Sequence, residues 1–239
     1  MSELSFFNNI KLMYISPSKF LGRKSDSKWT KALLQLILFY IVYLVIESFL
    51  NLVVFFKDNG AVQPIAILSW LFLTLQNIIG KGLIILVVLF SVSGVIHLLL
   101  KLSRAKTNYK ENVKSVSYSL MIWVIYGFII LVASFIIQLT IPIDQSYLQG
   151  ILATSDITNI AQLYKVYFSQ PGALILLILG IIQIVHFFTF LIKSTSYFNK
   201  IKTGKSAIIS IISMLVVIAI LMLIWIGFLY TSLSSGSFR

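Results

Sequence analysis

The stretch Ala207–Tyr230 reads AIISIISMLVVIAILMLIWIGFLY, two dozen residues without one charged side chain. Wound as a helix rising 1.5 Å per residue it is about 36 Å long, more than the roughly 30 Å of a bilayer's hydrocarbon core. Four runs of the same kind precede it: Ala32–Phe56, Gly82–Leu102, Val116–Ile141 and Ala173–Ile192. In hydrocarbon each backbone N–H and C=O must find a partner within its own segment, so each run is expected as a helix. The fold class is read as all-α: a polytopic membrane helical bundle of five transmembrane helices, with interfacial amphipathic helices beside them.

Composition agrees. The chain has 239 residues, 59% hydrophobic and 11% charged, and its mean hydropathy is +0.98. A soluble domain carries about 25% charge, so too little polar surface is available here to coat a globule in water. The net charge of +12 would suggest nucleic acid in a soluble protein. In a membrane chain it points to anionic headgroups, and no nucleic-acid partner is expected. Cysteine is absent, which removes disulfides, thiolate metal sites and a thiol nucleophile together.

The basic residues are distributed unevenly. The lead-in 1–31 holds six, loop 101–115 five and loop 193–206 four, together fifteen of the nineteen. The intervening segments share the remaining four. The positive-inside rule then places the N-terminus and both basic loops in the cytoplasm and the C-terminus outside. About thirty mostly polar residues precede the first run, so no cleavable signal peptide is expected and that run reads as an uncleaved anchor. The organisation is a cytoplasmic lead-in (1–31), a five-span membrane domain (32–231) and a short external tail (232–239).

Three further segments carry weaker signals. In the lead-in, Phe6, Phe7, Ile10, Met13 and Tyr14 recur at helical spacing, which predicts a short amphipathic helix on the membrane surface, ended by Pro17. Pro64–Ile79 is apolar but only about sixteen residues long, short for a crossing, and joins the next run through Gly80-Lys81-Gly82. It reads as an interfacial or re-entrant helix on the outer face rather than a sixth span, because a sixth span would carry the two later basic loops outside. In loop 142–172, Ser155 and the spacing of Ile157, Ile160, Ala161, Tyr164, Tyr167 and Phe168 predict a second flat-lying helix, stopped at Pro171. A faint echo pairs His97 and Lys101 with His186 and Lys193, each near the inward end of a span.

Few residues could carry chemistry. Glu47 is the one acidic residue deep in a span, about 24 Å in from Lys31, and an intramembrane carboxylate is a default candidate for a proton or cation site. Gln183 lies at a similar depth, about 21 Å from the same face, and is the best partner by depth. Glu47, Gln183, His186 and His97 form the candidate intramembrane polar site, with helix-to-helix hydrogen bonding as the plainer reading of each, and of Gln138 and Asn51 too. Lys101, Arg104, Lys106, Lys110 and Lys114 form a candidate lipid-facing basic loop. No phosphate-binding glycine loop, zinc motif or nucleophile elbow occurs. No cofactor, metal or enzymatic activity is expected.

The second basic region reads His97-Leu-Leu-Leu-Lys-Leu-Ser-Arg-Ala-Lys-Thr-Asn-Tyr-Lys-Glu-Asn-Val-Lys-Ser-Val-Ser-Tyr-Ser119. A span closing on a histidine and an apolar-basic turn, then a helix opening on Tyr118-Ser119, resembles the Yip-domain family of Ypt/Rab-interacting five-span membrane proteins. Ser16-Pro17-Ser18-Lys19-Phe20 with Trp29, and the turn Lys202-Thr203-Gly204-Lys205, are similar to that family as well. The long soluble N-terminal region of its trafficking members is missing, so the chain looks like the short prokaryotic type. The resemblance implies a non-enzymatic scaffold or adaptor in membrane organisation or trafficking, with membrane lipids, membrane-protein partners or further copies of itself as partners. The alternative is a small transporter or channel using Glu47 in the bundle interior.

Overall fold

Every proline among the described residues opens a helix. Proline lacks the N–H that a first helical turn leaves unpaired, and its fixed φ suits that position. In the computed structural model, which describes residues 3–59, 64–140 and 171–234, Pro17, Pro64 and Pro171 each begin an α-helix. Seven helices fill the described residues: α1 (Glu3–Ile15), α2 (Pro17–Lys24), α3 (Trp29–Asn59), α4 (Pro64–Leu102), α5 (Tyr109–Thr140), α6 (Pro171–Asn199) and α7 (Thr203–Ser234). Five of them, α3 to α7, are long and apolar enough to cross a membrane. Their outward side chains are Leu, Ile, Val and Phe, for example Ile41, Phe49, Leu83, Leu177 and Leu215, and these are exposed. Such a surface needs lipid rather than water around it. The chain is an all-helical, multi-pass membrane protein.

The helices outrun the apolar stretches that announce them. α5 begins at Tyr109, not at Val116 or at Tyr118-Ser119, and α6 continues to Asn199. On the basic side, the connections shrink to Ser103–Asn108 and Lys200–Lys202. Pro64–Ile79 is corrected outright: it is neither a separate interfacial or re-entrant helix nor a sixth span, but the first part of α4, unbroken through Gly80-Lys81-Gly82. Glycine in a helix costs about 1 kcal/mol relative to alanine, whereas a break within hydrocarbon strands several backbone groups. In the lead-in, Pro17 ends α1 and at once starts α2. The helix expected after Ser155 lies outside the described residues.

The residues divide into two compact units. The first comprises Met1–Leu38, Gly80–Ile122 and Phe187–Arg239; the second comprises Phe39–Ile79 and Trp123–His186. In the first, every residue from Asn112 to Ile122 of α5 is buried, so this stretch is enclosed on all sides. Phe20 and Leu21 of α2, Leu100 of α4, Tyr118 of α5 and Phe190 and Leu191 of α6 pack in this core. In the second unit, Gly127 of α5 lets Tyr43 of α3 come close: a Cβ on it would stand 3.2 Å from the tyrosine ring. That ring meets Phe128 edge to face at 5.3 Å.

Candidate functional site

Two connections in the first unit are built alike. After α4, the Arg104 N–H donates to the Lys101 carbonyl at 2.9 Å and the Ala105 N–H to the Leu100 carbonyl at 3.0 Å. After α6, the Lys200 N–H donates to the Tyr197 carbonyl at 3.4 Å and the Ile201 N–H to the Ser196 carbonyl at 3.1 Å. Both are Schellman caps, whose turning residue sits in the left-handed region and is usually glycine. Here it is Arg104 with φ 56° and Lys200 with φ 52°. The caps set the register: Arg104-Ala105-Lys106-Thr107-Asn108 matches Lys200-Ile201-Lys202-Thr203-Gly204. The expected pairing of His97 with His186 and of Lys101 with Lys193 is not the one the caps give. Arg104 corresponds to Lys200, which pairs His97 with Lys193 rather than with His186.

A closed ring of side chains ties the two copies together. Thr107 Oγ1 donates to Asn199 Oδ1 at 2.8 Å, Asn199 Nδ2 to Asn112 Oδ1 at 2.8 Å, and Asn112 Nδ2 to Thr107 Oγ1 at 3.1 Å. Each group donates and accepts once, an arrangement whose bonds reinforce one another. Asn112 Nδ2 also lies 3.3 Å from His97 Nδ1, so His97 serves the contact between α4 and α5. One turn deeper, Ser115 meets Ser194 at 2.6 Å and Thr195 at 3.1 Å, and Ser119 meets Ser194 at 3.3 Å. Small hydroxyl residues are what membrane helices use to approach closely and bond across the interface.

Above the ring lies a cavity of about 710 Å³, walled by Lys106, Thr107, Asn199, Lys200, Lys202 and Lys205 among others. Lys205 Nζ donates to the Ser103 carbonyl at 2.9 Å. Lys106, Lys200 and Lys202 are exposed, and their ammonium groups have no hydrogen-bonding or ion-pair partner among the described residues. Glu111, the one acid in the wall, is 3.4 Å from Lys114 Nζ.

Lys114 itself corrects an expectation. It does not face lipid: its side chain is fully buried, because α5 is already enclosed at that level. Its ammonium donates to the Ser25 carbonyl at 2.6 Å, faces Glu111, and stands 4.5 Å from the centre of the Phe198 ring. A buried ammonium without such partners would cost several kcal/mol. The same contact pins the lead-in to α5. Ser27 and Tyr118 share a hydrogen bond of 3.0 Å, and Phe20 meets Tyr118 edge to face at 5.2 Å. Lys24 of α2 is nearly buried beside Phe20, and burial, then the nearby charge of Lys31, holds its pKa below the usual lysine value. Lys101, Arg104, Lys106 and Lys110 remain exposed.

The other sequence candidates lie in the second unit and do not gather into a site. Gln183 Nε2 donates to the Trp123 carbonyl at 2.9 Å, not to Glu47. His186 Nδ1 lies 3.1 Å from the Tyr126 hydroxyl. Glu47 is half-buried on α3 near Tyr43. Among the described residues no three His, Asp or Glu side chains converge as metal ligands would. Sequence reasoning missed Thr107, Asn112, Asn199, Ser115 and Ser194. The repeated basic-x-Lys-Thr turn and the alternating serines of Ser115–Ser119 were the signals available. Comparison of the chain with models of known families, with curated proteins and with solved structures finds no match. Fold and site together define a membrane protein with five helices long and apolar enough to span a bilayer and a basic, hydrogen-bonded pair of turns.

Proposed function

We propose that this chain is a non-enzymatic membrane scaffold or adaptor, of the kind the Yip-domain resemblance implies, whose basic end holds anionic lipid on the cytoplasmic side. The observation that carries the reading is the contrast between two sets of polar residues. Gln183, His186 and His97 are spent on contacts between helices, while Lys101, Arg104, Lys106 and Lys110 are exposed, Lys106 in the same cavity wall as Lys200 and Lys202. Each exposed basic group near an anionic bilayer contributes about 1 kcal/mol. The orientation, with the N-terminus inside and the C-terminus outside, rests on the uneven distribution of basic charge.

The test is native mass spectrometry and nanodisc binding with zwitterionic and anionic lipid. Neutralising Lys101, Arg104 and Lys110 is expected to reduce the preference for anionic lipid, and an unchanged preference would refute the reading. The transporter reading rests on Glu47 alone. Proton or cation flux in liposomes carrying the parent, abolished in Glu47→Gln, would put transport first. Absence of flux in both supports the scaffold.

A further inference from the structure

The cavity between the two matching turns has a composition that general attraction to a charged bilayer does not require. Four lysines enter its wall, from two loops and the first turn of α7, against a single acid. That acid is already faced by the buried Lys114, so the surplus positive charge is undiminished. Lysine binds phosphate as a mobile point charge with three donors. Thr107 and Asn199 of the wall are joined to each other in the hydrogen-bonded ring, so the two turns that carry the lysines are tied together. The cavity size, about 710 Å³, falls within the range of about 300–1,000 Å³ typical of small-ligand sites. It suits a phosphorylated headgroup rather than a bare ion. Lys200 is held at φ 52°, a conformation in which glycine would be easier. That is backbone strain at a position whose side chain lines the cavity, and strain of this kind concentrates at functional sites.

We infer that the two matching turns together form one binding site for a phosphate monoester, with Lys106 of the first turn and Lys202 of the second as the equivalent pair that clamps it from opposite copies. A monoester carries close to two negative charges near neutral pH and several free oxygens, so it can engage both copies at once. A diester carries one charge and offers less to a four-lysine wall. The inference deepens the scaffold reading and rests on it for the lipid as source of the ligand. The phosphate chemistry would be the same for a soluble monoester.

The experiment titrates the full chain in nanodiscs with phosphatidic acid, a monoester lipid, against phosphatidylglycerol, a diester, at equal total charge. A parallel titration in detergent uses glycerol 3-phosphate. The variants are Lys106→Gln with Lys202→Gln, and a charge-matched control, Lys11→Gln with Lys19→Gln, whose residues do not line the cavity. Expected is one saturable site preferring phosphatidic acid. The Lys106/Lys202 variant should weaken it by about tenfold or more, the effect of losing two charge-assisted contacts, with the control close to the parent. Saturable binding of glycerol 3-phosphate with the same variant dependence, and no preference for phosphatidic acid, supports the site and assigns it a soluble ligand. No saturable monoester binding in either arm overturns the inference, as does an equal loss in both variants. Anionic-lipid selectivity surviving in the parent would then leave the scaffold reading standing; its absence would remove both. Retention of the parent's melting profile by the Lys106/Lys202 variant separates lost binding from lost fold.

Discussion

Replacing Arg104 or Lys200 by glycine should make the protein more stable. Both residues hold left-handed backbone at φ 56° and 52°, where a Cβ costs about 1–2 kcal/mol per residue. Glycine removes that cost but gives the unfolded chain more freedom, worth about 0.4–1 kcal/mol in the opposite sense. Both side chains are exposed, so little packing is lost. The balance is a gain of about 0.5–1 kcal/mol at each site. In a chain of this size, 1 kcal/mol corresponds to a shift of about 2–4 °C in melting temperature. Thermal unfolding in detergent of Arg104→Gly, Lys200→Gly and the double variant measures it, with Ala207→Gly in right-handed α7 as the reference that should lose up to about 1 kcal/mol. If either turn variant falls as Ala207→Gly does, the backbone there is not strained and the shared cap is wrong. Binding should move separately from stability. Lys200 lines the cavity and Arg104 does not, so Lys200→Gly should weaken monoester binding more than Arg104→Gly.

Three other outcomes are expected. Lys114→Met keeps the stem and sheds the buried charge, so loss of the Ser25 contact, about 1–3 kcal/mol, is partly offset by relief of desolvation. Lys114→Ala also opens a cavity and should be the less stable of the two by about 2 kcal/mol or more; the reverse order in denaturant unfolding refutes the buried-ammonium account. Lys24 has a folded pKa below 10.5, so the folded state holds that proton less tightly than the unfolded state. Its charged form subtracts stability below the lowered pKa, and the penalty fades as pH rises from there through 10.5. Stability of the parent should gain over that alkaline window relative to Lys24→Met, and parallel pH profiles would refute it. Cysteines placed at Ser103 and Thr203 should resist an impermeant thiol reagent in intact cells and react after permeabilisation; labelling of either from outside reverses the proposed orientation.

The spans were legible in the sequence because a bilayer imposes a length and a polarity that single residues cannot disguise. The helix start at Pro64 was legible for a similar reason, since proline leaves few alternatives, whereas Pro171, read as the stop of a flat-lying helix, opens α6. Gly80-Lys81-Gly82 misled because its residue types suit a turn in water. In α4, added Cβ atoms at Gly80 and Gly82 would meet nothing within 4 Å and neither residue has positive φ, so these glycines mark neither turn nor close approach. Lys114 misled in the opposite sense. Charge was read as exposure, yet enclosure of α5 from Asn112 to Ile122 depends on which helices surround it. The hydrogen-bonded ring was hidden because Asn199 lies 87 positions from Asn112 and 92 from Thr107 in the chain, and all three residues are unremarkable singly. Only the matched caps bring their turns into register.

The docking of the lead-in fixes an order of events during synthesis. Ser25 and Ser27 leave the ribosome well before their partners Lys114 and Tyr118, which follow 89 and 91 positions later. Phe190, which packs on Phe20, comes later still. At ribosomal rates of about 5–20 residues per second, the segment waits roughly ten to thirty seconds for its seat to exist. Made before its partners, it docks only after them. Until α5 and then α6 have been made, Phe20 lacks the rings of Tyr118 and Phe190 that it packs against. A ribosome stalled before α6 would lengthen that interval.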